Sequence, residues 1–187
     1  MADVSPADAL AEAAALLDAL PEHDARATLE CCCGSTRWVD EMLARRPFGS
    51  ASVLSAAASG IWAALGREDY LEAFAEHPPI GDLSALAARF AVTATWSSGE
   101  QSGVNAADHV TLEALAAGNR VYRDRFGYTF IVCATGKSAD QMLEALRARL
   151  AHDADTELFT AAAEQAKITL LRLAKLAAES KWSASVP

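Results

Sequence analysis

Apolar residues along this 187-residue chain recur at three- and four-residue intervals over most of its length, the spacing of one face of an α-helix. Ser5-Pro6-Ala7-Asp8 supplies a cap, a proline at the first helical position and an acid in the first turn. Leu10, Ala13, Leu17 and Leu20 then follow at helical spacing up to Pro21. A second helix is expected over Asp24 to Cys32, before Gly34. A third begins near Ser35, carries Trp38, Val39, Met42 and Leu43, and stops before Pro47. Ser50 opens a fourth, whose stripe Val53, Leu54, Ala57, Ile61, Trp62 and Leu65 ends at Gly66, and a short fifth runs from Glu68 to Ala75.

Leu83, Leu86, Ala87 and Phe90 suit a helix over Leu83 to Thr95, although the β-branched run Val92-Thr93-Ala94-Thr95 would fray its end. The longest pattern, Asn105 to Phe126, sets Val110, Leu112, Leu115, Ala116, Val121, Tyr122 and Phe126 on its apolar side. Gly118 and Asn119 lie inside it, and Gly127 terminates it. Ser138 and Gln141 form a capping box for a helix reaching Leu150. Asp155 is expected to cap the last helix, which continues to about Ala178 and leaves Glu179 to Pro187 as a disordered tail.

Only Tyr128-Thr129-Phe130-Ile131-Val132-Cys133 has the composition of a strand, and it has no second strand to pair with. Its backbone N–H and C=O groups must therefore find other partners, of which a ligand is one candidate. The expected architecture is all-α: a single compact domain of about eight helices with one extended segment near 128–134.

Charge and cysteines narrow the function classes. Sixteen Lys and Arg against 25 Asp and Glu leave a net charge of −9, which argues against non-specific nucleic-acid binding and against an acidic membrane surface. The first residues carry no basic segment followed by an apolar core, and no apolar run approaches the roughly 20 residues of a membrane span. A soluble, cytoplasmic protein is expected. Cys31, Cys32 and Cys33 are adjacent and Cys133 stands alone, a spacing that fits neither a zinc site nor a disulfide framework. Reduced thiols and no metal are expected.

The candidate chemistry lies in turns. Pro78 and Pro79 stop the helical pattern at His77 and hold this imidazole at a helix exit. Histidine exchanges a proton near neutral pH; its plainer role here would be to end a helix with a favourable charge. A second turn, Ser97-Ser98-Gly99-Glu100-Gln101, offers a carboxylate and an amide. Together with the backbone of Phe130 to Ala134, these groups suit a small polar heterocycle with carbonyl, amide and carboxylate edges. No phosphate loop or nucleophile motif is present, so acid–base work without a cofactor is expected. His23, His109 and His152 are expected at the surface.

These segments resemble the 2-oxo-4-hydroxy-4-carboxy-5-ureidoimidazoline (OHCU) decarboxylase family in order along nearly the whole chain. The matching residues begin with Cys32-Cys33-Gly34-Ser35, Trp38, Arg46-Pro47-Phe48, His77-Pro78-Pro79-Ile80-Gly81 and Glu100-Gln101. They continue through Asn119, Tyr122, Arg125 to Ala134, Arg149-Leu150, Glu157-Leu158, Lys167-Ile168 and Arg172-Leu173. The resemblance implies an all-α homodimer that decarboxylates OHCU to (S)-allantoin in urate degradation, without a cofactor. It implies His77 as the catalytic residue; Glu100, in the family's substrate-binding turn, is expected to be catalytic beside it by fixing the imidazole or a ureido N–H. Substrate contacts would come from Pro78, Ser97, Ser98, Gly99 and Gln101, and from Phe130, Ile131, Val132, Cys133 and Ala134. Family members commonly carry Arg where this chain has Pro79, and some at Thr135, so Arg120, Arg125 and Lys137 are the candidate cations for the substrate carboxylate. A helical module that binds a ureido or purine-like ligand without turning it over is the alternative reading, as is a related ureido or hydroxy-acid substrate.

Overall fold

The computed structural model describes residues 5–77 and 104–183, with side chains at 5–77 and 109–176. These residues form eight α-helices and no strand: α1 Pro6–Ala19, α2 Glu22–Cys32, α3 Thr36–Ala44, α4 Ala51–Ala64, α5 Arg67–Ala75, α6 Val104–Phe126, α7 Ala139–Arg149 and α8 Ala154–Ser183. The all-α expectation holds. The helix expected over Leu83 to Thr95 lies outside the described residues.

Helix starts follow local capping chemistry. The hydroxyls of Ser5, Ser35 and Ser50 accept the N–H groups of Asp8, Trp38 and Val53. At α7 the box closes in both directions, Gln141 N–H to Ser138 Oγ at 3.2 Å and Ser138 N–H to Gln141 Oε1 at 3.0 Å. The start of α8 differs from expectation: its cap is Asp153, not Asp155. Asp153 Oδ1 accepts the N–H groups of Asp155 at 3.1 Å and Thr156 at 2.8 Å, and Oδ2 accepts the Thr156 hydroxyl at 2.7 Å. The bond from the Thr156 N–H does most to hold the Asp153 carboxyl below its ordinary range. The helix also runs on to Ser183, so 179–183, expected to be disordered, are helical; 184–187 lie outside the described residues.

The helices group into two compact units, one reaching to Glu76 and resuming at Ala163, the other spanning His77 to Ala162. In the first, α1 packs on α4 and α2 on α3. Trp38 is fully buried and its indole N–H donates to the Ala58 carbonyl at 3.1 Å, tying α3 to α4. The Arg46-Pro47-Phe48 loop is strapped to the end of α1. Asp18 accepts the N–H groups of Phe48 and Gly49, both at 2.8 Å, and Arg46 Nη2 donates to the Leu20 carbonyl at 2.5 Å. That stretch of the family match is therefore architectural.

The Cys-Cys-Gly-Ser stretch is a junction of helices. Arg172 of α8 donates to the carbonyls of Cys31 and Cys32 at 3.4 and 3.3 Å, where the last turn of α2 has no helical donors left. Glu72 of α5 accepts the Thr36 N–H at 3.1 Å and its hydroxyl at 2.6 Å, closing the first turn of α3. Between these, a Cβ on Gly34 would lie 2.4 Å from Glu76 Cγ and 2.9 Å from Glu76 Cβ, so only glycine lets the end of α5 approach. None of the four cysteines is in a disulfide; Cys31 is exposed and the other three are buried.

In the second unit α6 packs on α7. A Cβ at Gly118 would sit 2.6 Å from Leu146 Cδ2, so this mid-helix glycine marks close helix approach rather than a break. Gly127, at φ 85°, ends α6 in the left-handed region and donates to the Arg123 carbonyl at 2.8 Å. The buried face of α6 is narrower than its apolar pattern: Val110 and Val121 are exposed, because what a neighbouring helix covers decides burial and periodicity does not. Val53 on α4 and Phe159 on α8 are exposed for the same reason.

Candidate functional site

The α5 helix closes at Glu76, and His77 follows on a bend with its side chain half-buried. Pro78, Ser97, Ser98, Gly99, Glu100 and Gln101 lie outside the described residues. His77 and the 128–134 segment belong to the same compact unit.

That segment is neither helix nor strand, and it is buried. Phe130 and Ile131 are nearly inaccessible, Val132 and Cys133 are buried, and Ala134 is half-buried. Its backbone bonds go largely to side chains. Asn119, buried within α6, accepts the Phe130 N–H on Oδ1 at 2.9 Å. Arg149 Nη1 at the end of α7 donates to the Ile131 carbonyl at 2.8 Å. Lys137 donates from Nζ to the Cys133 carbonyl at 2.7 Å and from its backbone N–H to the Ala134 carbonyl at 3.1 Å. Several groups that sequence reasoning left open to a ligand are thus already met by protein.

Behind the segment lies a charged core. Glu157, fully buried on α8, accepts from Arg149 Nε at 2.8 Å and Nη2 at 2.5 Å, and from the Tyr122 hydroxyl. Its other oxygen lies 2.8 Å from His152 Nδ1. The Arg149 guanidinium also stands 4.5 Å from the centre of the Phe130 ring. Removing one partner from such a buried pair leaves a charge uncompensated, typically at a cost of about 3–5 kcal/mol. Burial, then the bond to Glu157, pushes the Tyr122 phenol well above its usual range, so it remains a donor at neutral pH. His152, expected at the surface, is instead a half-buried partner of Glu157, while His23 and His109 are exposed.

Two of the three candidate cations are engaged with protein carbonyls, Lys137 as above and Arg125 through Nη2 to the His152 carbonyl at 2.9 Å. Arg120 is exposed. Asn119, Tyr122, Arg149 and Glu157 stood in the sequence only as scattered matching positions. Their one local signal is a polar group on an otherwise apolar helical face. In space they are one scaffold for the 128–134 backbone.

Comparison with known proteins points the same way. A family model for OHCU decarboxylase matches residues 18–174. The chain is 37% identical over 146 residues to the uric acid degradation bifunctional protein TTL of Arabidopsis thaliana, covering 78% of this chain and 45% of that protein, so it spans less than half the length of this relative. It is 30% identical over 139 residues to the 2-oxo-4-hydroxy-4-carboxy-5-ureidoimidazoline decarboxylase of Haloferax volcanii, covering 74% of this chain and 80% of that protein. Its fold matches a crystal structure of OHCU decarboxylase in the presence of (S)-allantoin with a TM-score of 0.64 at 34% identity, over 80% of this chain and 96% of that one.

Proposed function

The chain belongs to the OHCU decarboxylase family, and from that premise we propose that it catalyses the cofactor-free decarboxylation of OHCU to (S)-allantoin. The observation that carries this reading is the extent of the match: residues 18–174 include both His77 and the whole 128–134 segment.

The chemistry suits these residues. OHCU bears its carboxylate on a carbon beside a ring C=N bond. As the C–CO₂ bond breaks, its electron pair moves toward the imine, whose nitrogen takes a proton, so no external electron sink is required. The hydroxyl on the ring carbon that carried the carboxylate then gives up its proton as the ring carbonyl forms, and C5 receives one. His77, half-buried at the helix exit, is the proposed general acid–base for the hydroxyl and carboxylate region, a role worth ~10²- to 10⁴-fold in rate. Glu100 would orient the imidazole or a ureido N–H. Pro78, the Ser97 to Gln101 turn and the backbone of Phe130 to Ala134 would hold the ring, and delivery of the proton to one face of C5 sets the handedness of the product.

The test generates OHCU in place from urate with uricase and hydroxyisourate hydrolase, then follows its decay and the circular dichroism of the product. The expected result is decay faster than in buffer, with a persistent (S)-allantoin signal. Decay at the buffer rate to racemic allantoin would refute catalysis and favour a module that only binds.

A further inference from the structure

Two alternate peptide units in the 128–134 segment, separated by the one joining Val132 to Cys133, share one arrangement. In the unit joining Ile131 to Val132 the carbonyl accepts from Arg149 Nη1 at 2.8 Å; in the unit joining Cys133 to Ala134 it accepts from Lys137 Nζ at 2.7 Å. Both units are trans, so the N–H groups of Val132 and Ala134 point away from the cations that hold their carbonyls. A positive charge on an amide oxygen draws electron density through the C–N resonance and strengthens the N–H at the other end as a donor. Neither N–H has a hydrogen-bond partner among the described residues. Val132 is buried, and a buried backbone N–H without an acceptor is rare enough to ask what completes it.

We propose that Arg149 and Lys137 are positioning residues that act through the backbone, making the Val132 and Ala134 amides a reinforced donor pair for a carboxylate or carbonyl edge of the substrate. The inference rests on the OHCU reading, in which the substrate offers a carboxylate, a ring carbonyl and a ureido carbonyl. It also gives Lys137 a part other than direct pairing with the carboxylate. Gly136, at φ 76°, turns the chain so that the Lys137 backbone closes on Ala134 while its side chain returns to Cys133. Arg149 is tied into the buried Glu157 cluster, so the half-buried Lys137 is the residue to vary.

The experiment compares Lys137→Met and Lys137→Arg with wild type in the full chain. In ligand-free protein labelled with ¹⁵N-alanine, Lys137→Met should move the Ala134 amide proton upfield. The same variant should raise KM for OHCU about three- to tenfold, the worth of one weakened hydrogen bond, and weaken (S)-allantoin binding in calorimetry alike. Its kcat should stay within about twofold of wild type, and Lys137→Arg should restore both the amide position and KM. An unmoved Ala134 amide, an unchanged KM, or Lys137→Arg as impaired as Lys137→Met would each overturn the proposal. Wild-type protein that consumes OHCU no faster than buffer would instead sink the functional reading, and the Ala134 amide then still decides whether the cation polarises its peptide.

Discussion

At the scale of single residues, His77 stands on the bend just past the end of α5, ahead of two prolines that cannot continue a helix. As the proposed general acid–base it should be sensitive to loss of its ring nitrogens and insensitive to loss of volume. His77→Asn is expected to lower kcat by about 10² or more, with the far-ultraviolet circular dichroism unchanged. A folded variant with wild-type turnover would remove His77 from the mechanism. The cysteines make a second residue-level case. Burial pushes the Cys33 thiol up to about 11 from 9.0, so the folded chain keeps this proton where the unfolded chain loses it. Its contribution to stability is complete below 9.0 and is lost as pH rises through about 11. At pH 8, a chromogenic disulfide reagent should therefore titrate one thiol quickly, the exposed Cys31, and reach the other three only after denaturation. Rapid reaction of all four in native protein would contradict the burial described.

At the scale of elements, helix starts were legible wherever a serine caps its own first turn, because that chemistry is complete within four residues. The start of α8 was not, since Asp153 and Asp155 are both competent caps by residue type, and it is Asp153 that accepts the first-turn N–H groups. Gly34 shows what one missing Cβ does for an element. It lets the last turn of α5 lie against the start of α3, and Glu76, the residue pressed on Gly34, is covalently next to His77. Gly34→Ala must push Glu76 away, and overpacking of this kind typically costs about 1–3 kcal/mol. The expected outcome is a lower melting temperature together with a reduced kcat, because the helix exit carrying His77 moves. A destabilised variant with unchanged kcat would show that the exit tolerates the shift.

At the scale of the whole molecule, none of the described helices is long and apolar enough to cross a membrane. The resemblance implies a homodimer, and sedimentation equilibrium should then give about twice the 19.7 kDa of the chain. A single species at the monomer mass across micromolar concentrations would reject it. The sequence by itself determined the all-α class, the order of the described helices, the serine caps of α1, α3, α4 and α7, and the family, since helical period and capping are interactions among near neighbours. It also marked 128–134 as a stretch without a strand partner. Only the tertiary structure decided which polar residues go inside. A buried charge is tolerable only when its partners arrive from elsewhere in the chain: Glu157 meets Arg149 from 8 residues away and Tyr122 from 35. Spacing along the sequence carries no record of such meetings, so the scaffold that holds the 128–134 backbone became visible only once the helices were packed.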